Sequence, residues 1–219
     1  MMHLSPSMQP AWPDLKCFQH CDRSTNILCC VVPIACPICQ QDTSTTPMRI
    51  PPYILPSPFV ASSVAPCSLV LKPTTGDFIR DYTSTANLHI GITDTRGRCY
   101  DFDEEGLHVG NTWPHCLAVP VTTSGATSPA WDQHLTAFAD PFRWNPQRYD
   151  EADCNCFDFV LQFLHYMGLQ GNFSAGVLAS KQAFCEEFLL QRTAKATQYI
   201  HLYRRVLKDG HVLSNAAFL

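Results

Sequence analysis

Leu88-His89-Ile90-Gly91-Ile92-Thr93 is the stretch whose reading decides the fold. In an extended chain successive side chains point to opposite faces, so Leu88, Ile90 and Ile92 share one face and His89, Gly91 and Thr93 the other. The apolar face is the expected core face. Asp94-Thr95-Arg96-Gly97 then supplies turn chemistry, and Cys99 to Phe102 returns as a partner strand. By the same logic Tyr100 and Phe102 join the core side, while Cys99 and Asp101 share the face of His89. A three-residue loop at Asp94 to Arg96 sets Asp101 directly across from His89. A carboxylate there holds the imidazole's tautomer and stabilises its charged form.

Working outward, Ser68-Leu69-Val70-Leu71 and Cys116 to Val121 read as further strands. Ser128-Pro129 caps a helix expected to run through Ala139, and Ser180 to Leu190 reads as another. Gln198 to Val206 is expected as a terminal strand. The most amphipathic helix is Asn155 to Met167, where Cys156, Phe159, Val160, Phe163 and Met167 recur at helical spacing. Cys156 therefore lies on the buried stripe in the first turn, and its thiol points toward whatever sheet the helix covers. Unpaired backbone N–H groups and the helix dipole favour a thiolate at that end. A histidine on the facing strand would complete a nucleophile and base pair. The plainer alternative is a satisfied strand histidine and a buried packing cysteine. Cys154 falls outside the stripe and reads as a packing or loop cysteine. Strands first, helices later and a central hairpin indicate an α+β protein, an antiparallel sheet packed on a central Cys-bearing helix.

The chain has 219 residues, enough for one well-buried domain plus a small appendage. Charged residues make up 16% and the net charge is -4, with no basic excess, so nucleic-acid binding through a basic patch is not expected. The start of the chain, with Pro6, Pro10 and Pro13, lacks the pattern of a secretory signal, and no apolar run approaches the ~20 residues of a membrane helix. A soluble intracellular protein is expected. Its 12 cysteines then read as reduced thiols, metal ligands or buried small side chains. Eleven of the 17 prolines precede residue 67. The organisation expected is a disordered 1–14, a Cys-rich segment 15–42, a Pro-rich linker 43–66 that cannot form regular helix or central strand, and an α+β domain 67–219.

Cys36-Pro37-Ile38-Cys39 is a Cys-x-x-Cys knuckle, and Cys17, His20 and Cys21 lie upstream. Four such soft ligands suit a tetrahedral zinc that would fold a segment too small to hold itself. Cys21, Cys36 and Cys39 are its core, and the fourth ligand is His20 or Cys17. Geometry favours Cys17, because adjacent residues rarely aim at one ion. Free surface thiols, or a redox pair at Cys36 and Cys39, are the alternatives. Cys29 and Cys30 read as spectators. A site closed by Cys and His leaves no open position, which argues against zinc catalysis.

Two resemblances add to this. Leu88-His89-Ile90-Gly91-Ile92, the Tyr100-Asp101-Phe102 strand and Asn155-Cys156-Phe157-Asp158-Phe159-Val160 opening a helix resemble the circularly permuted papain-like enzymes, including the desumoylating isopeptidases of the PPPDE group and the lecithin-retinol acyltransferase-like proteins. The desumoylating group usually carries Asn-Cys-Asn, where this chain has Phe157 and Asp158 after Cys156. More of the chain resembles the makorin-two opposite-strand protein family, through Phe18-Gln19-His20-Cys21, Cys36-Pro37-Ile38-Cys39-Gln40, Leu71-Lys72-Pro73-Thr74, Arg148-Tyr149-Asp150-Glu151 and Leu202-Tyr203-Arg204. This resemblance marks His20 as a ligand, while the first implies a permuted papain-like core.

Two functions follow as expectations. One is a papain-like domain with degraded chemistry that binds a protein partner, for which Trp113, Trp131, Trp144 and Phe142 could line a surface. The alternative is a thiol hydrolase, isopeptidase or acyltransferase acting on a protein or acyl substrate. In it Cys156 attacks the carbonyl, His89 shuttles the proton and Asp101 orients His89.

Overall fold

The computed structural model describes residues 12–121, 129–169, 173 and 176–215. In chain order the elements are β1 (Lys16–Gln19), β2 (Thr25–Cys29), β3 (Ile50–Ile54), β4 (Phe59–Val60), β5 (Ser68–Pro73), β6 (Leu88–Thr93), β7 (Cys99–Asp103), β8 (Gly106–Asn111), β9 (Cys116–Pro120), α1 (Pro129–Phe138), α2 (Cys156–Tyr166), α3 (Lys181–Phe184), α4 (Leu190–Asp209) and β10 (His211–Asn215). A π-helical stretch, Cys185–Leu189, joins α3 to α4. The protein is α+β with two antiparallel sheets. Among the described residues no helix is long and apolar enough to cross a membrane.

The chain forms two compact units, Pro58–Ile200 and the residues on either side of it. Composition placed a boundary at Pro66 and gave 67–219 to one domain. The units instead divide at Ser57 and again after Ile200.

In the 58–200 unit the strands run in the order β4-β9-β5-β6-β7-β8. β6 has strands on both sides, and His89 to Thr93 are buried on both faces. The His89 face is therefore a second core face. Val70, Cys99, Trp113 and Cys116 cluster there, because Val70 pairs with Gly91 and Cys99 with Thr93. α2 packs across β6 and β7. Phe102 of β7 meets Trp144 and Tyr149 edge-on, and Phe138, Phe159 and Phe163 extend the same aromatic core.

The β6–β7 register differs from the expected one. Asp101 pairs with Gly91, not His89. The loop is longer because the buried Asp94 carboxylate organises it, accepting from the backbone N–H groups of Arg96 and Arg98 and from the Arg98 guanidinium. Gly97 completes the turn with φ +75°, where a Cβ would meet the Ser62 and Ser63 backbone within 2.7 Å. An even shift leaves every side chain on its expected face. Gly91 matters here too: a Cβ would come within 2.6 Å of Cys99 Sγ and 3.2 Å of Asp101 Cβ. Its empty slot lets Asp101 reach diagonally to His89.

The other unit is a sheet ordered β10-β2-β1-β3. Its core, Phe18, Ile27, Cys29 and Cys36, runs directly into the cysteine knuckle. Part of the expected linker forms β3, an edge strand, where Pro51 and Pro52 need not donate to a neighbour. Gln198 to Val206 lies within helix α4, correcting the expected terminal strand. Ala196, Ile200, Tyr203 and Val206 are its buried residues, a helical period. The closing strand is β10, which pairs with β2 through Val212 and Leu28.

Candidate functional site

Asn155 begins the local folding that places Cys156. Its side-chain oxygen accepts from Phe157 N–H at 2.9 Å, and Asp158 accepts from Asn155 N–H at 2.9 Å, a reciprocal cap on α2. Asn155 Nδ2 also donates to the Glu151 carbonyl, and Lys181 Nζ reaches Asp158 at 2.9 Å. Asp158 is thus part of the cap, while Phe157 stands where the desumoylating pattern has its second Asn. Cys156 follows at the first helical position, 5% exposed.

His89 and Asp101 share a buried face, with Nε2 to Oδ2 at 2.9 Å. The other Asp101 oxygen has no hydrogen-bond partner among the described residues, so the carboxylate is committed to His89. The ring also interacts with the Cys156 thiol. With Nε2 on Asp101, Nδ1 is left for sulfur. Burial acts to lower the His89 pKa, but the hydrogen bonds to Asp101 and Cys156 and both neighbouring charges outweigh it, raising the value from 6.5 to about 9. The imidazole therefore carries its proton at neutral pH. Trp113 flanks it at 5.6 Å.

Cys156 and His89 open into a cleft of about 850 Å³ that Tyr149 and Asn155 also line. Asp103, Glu104, Asp150 and Glu151 make its rim acidic. Lys72, the lining lysine, sits with its ammonium 4.9 Å from the Trp113 ring centre. Cys154 lies in the approach to α2, bridged backbone-to-backbone with Asp150.

The second constellation is His20, Cys21, Cys36 and Cys39, whose ligand atoms all lie within 4.8 Å of one another. These residues could hold a metal ion. His20 Nδ1 is 3.3 Å from Cys39 Sγ, and Nε2 is 2.7 Å from Thr46 Oγ1, which fixes the ring from behind. Ile38 N–H points at Cys36 Sγ at 3.4 Å. Cys17 is not in this group: it is buried in β1 and hydrogen-bonded to Tyr53. Geometry favoured Cys17 because adjacent side chains diverge along a strand. β1 ends at Gln19, however, and the bend at His20 and Cys21 lets both converge. Burial, then contact with Cys39 and Cys36, pushes the Cys21 thiol up to about 11.

The tryptophans offered as a binding surface are core: Trp113, Trp131 and Trp144 are buried, and only Phe142 of that set is exposed, at 89%. Tyr149 and Thr46 escaped the sequence reading as site residues. Tyr149 carried one signal, its place in Arg148-Tyr149-Asp150-Glu151.

An α+β chain with a buried His–Asp pair beside a helix-capped cysteine and a Cys/His knuckle defines the class. The chain belongs to the DUF4796 C-terminal family, which matches residues 52–206. It is similar to the MKRN2 opposite strand protein of Homo sapiens, with 29% identity over 201 residues, covering 90% of this chain and 88% of that protein. No solved structure matches the chain.

Proposed function

We propose that the chain is a thiol-dependent acyl hydrolase or acyltransferase on a permuted papain-like core, with Cys156 as nucleophile, His89 as proton shuttle and Asp101 orienting His89. The observation that carries this reading is the continuous contact from the Asp101 carboxylate through the His89 ring to Cys156 in the cleft. The order of a strand histidine before a helix-start cysteine, with the helix packed on an antiparallel sheet, supports the papain-like assignment. The thiolate attacks a substrate carbonyl, and the leaving group takes the proton from His89. Water then cleaves the thioester and returns a proton to His89. An isopeptide, peptide or thioester in a protein or acyl substrate fits such chemistry. A purely partner-binding role is less well supported, since the tryptophans it would use are buried.

Incubating the full chain with p-nitrophenyl acetate is expected to release a burst of p-nitrophenolate and leave acetyl on Cys156, seen by mass spectrometry. Cys156→Ser is expected to reduce the burst by ~10²-fold or more. A burst that survives the substitution, or a parent that shows none, refutes the reading.

The Cys/His knuckle is read as a structural zinc site. One nitrogen and three sulfurs suit zinc, and a full set of protein ligands leaves no position for a reacting group. Its test is elemental analysis: one zinc per chain, lost in Cys36→Ser, is expected, whereas a folded metal-free parent ends the idea. A nucleophilic thiol and thiolate ligands both require reduced cysteines, which supports an intracellular setting.

A further inference from the structure

We infer that the Tyr149 hydroxyl, with the backbone N–H of Cys156, forms the oxyanion site for acyl transfer at Cys156, an inference that rests on the thiol-hydrolase reading. Asp150 and Cys154 form an isolated antiparallel bridge, with N–H to O distances of 2.9 and 3.0 Å in the two directions. Tyr149 and Asn155 flank that bridge along the chain, and Cys156 follows directly. Tyr149 is thereby held beside the nucleophile by the same turn that starts α2.

Its ring is seated edge-on against Phe102 at 5.4 Å, half-buried, and lines the cleft that Cys156 and His89 line. Among the described residues no hydrogen bond ends on its hydroxyl. Two other donors that line the cleft are engaged elsewhere. Asn155 Nδ2 is bonded to the Glu151 carbonyl, and Lys72 lies over Trp113. The Cys156 N–H, at the first helical position, has no acceptor among the described residues. Burial first, then the neighbouring Cys156 and acidic rim, raises the Tyr149 pKa, so the phenol keeps its proton.

In the step concerned, the sulfur lone pair forms the S–C bond and the carbonyl π pair moves onto oxygen. That oxyanion accepts from Tyr149 O–H and Cys156 N–H. Collapse restores C=O and expels the leaving group with the proton from His89.

Two probes separate this role from a structural one. N-Acetylglycinal adds its carbonyl to the Cys156 thiol and creates the oxygen centre; iodoacetamide alkylates the same sulfur by displacing iodide and creates none. Tyr149→Phe keeps the ring, so its iodoacetamide rate at Cys156 is expected to stay within about 2-fold of the parent, while aldehyde affinity falls ~10- to 100-fold. With p-nitrophenyl acetate, kcat is expected to fall by ~10²-fold at unchanged KM. Asn87→Ala, at another cleft-lining amide, is expected to leave aldehyde affinity unchanged. The inference is overturned if Tyr149→Phe binds the aldehyde as the parent does, if both probes weaken together, or if Asn87→Ala shows the loss instead. A parent that forms no aldehyde adduct at Cys156 overturns the thiol-hydrolase reading, and this inference with it.

Discussion

Asp101 decides what His89 can do. A buried imidazole alone would shed its proton, since burial favours the neutral ring. Asp101 and Cys156 reverse this, Asp101 first by its hydrogen bond, then Cys156 by hydrogen bond and charge and Asp101 by charge, and the His89 pKa rises from 6.5 to about 9. A raised folded-state value means that folding binds the proton more tightly. The stability it contributes is complete below about pH 6.5 and disappears as pH rises through about 9. Asp101→Asn keeps the shape but removes the charge, so burial is opposed by Cys156 alone. The His89 resonances are expected to titrate near 9 in the parent and at lower pH in the variant, with Cys156 still holding part of the shift. The variant's melting deficit should likewise be greatest at acid-to-neutral pH and vanish in alkali. A parent midpoint at or below 6.5 would show that Asp101 does not govern the ring.

At the level of elements, what the sequence disclosed was whatever local periodicity controls. The stripe of Cys156, Phe159, Val160 and Phe163 appears as buried residues of α2, and the strand alternation at His89 correctly places Asp101 on its face. What it concealed depends on bonds that alternation does not encode. The β6–β7 register is set by the buried Asp94 carboxylate, whose claim on Arg96 and Arg98 lengthens the loop. The helical period of Ala196, Ile200, Tyr203 and Val206 was hidden because Tyr199, Ile200, Tyr203 and Val206 are also good strand formers. Thr46 meets His20 from a distant loop position and has no motif of its own. His20 was legible only through family resemblance, since the bend after β1 defeats the rule that neighbours diverge.

At the scale of the molecule, the two candidate sites belong to different compact units, each with its own sheet and core. The knuckle thiols are part of the core beneath β1 and β2, where Cys36 packs with Phe18, Ile27 and Cys29. A structural zinc there would contribute ~10–16 kcal/mol of binding free energy, as much as the entire ~5–15 kcal/mol that holds a typical domain folded. On the structural-zinc reading, that small sheet is expected to unfold with its loss. The 58–200 unit has its own aromatic core of Phe102, Phe138, Phe159 and Phe163. Stripping zinc with a chelator should therefore unfold one unit before the other. Hydrogen exchange would report it: amides of β1, β2 and β10 should lose protection, the C-terminal turns of α4 should fray with them, and amides of β6 and α2 should remain protected. Cys156 should keep its iodoacetamide reactivity under the same conditions. Loss of protection in both units at one chelator concentration would mean that the knuckle supports the whole chain, and unchanged protection everywhere would mean that no metal supports the knuckle.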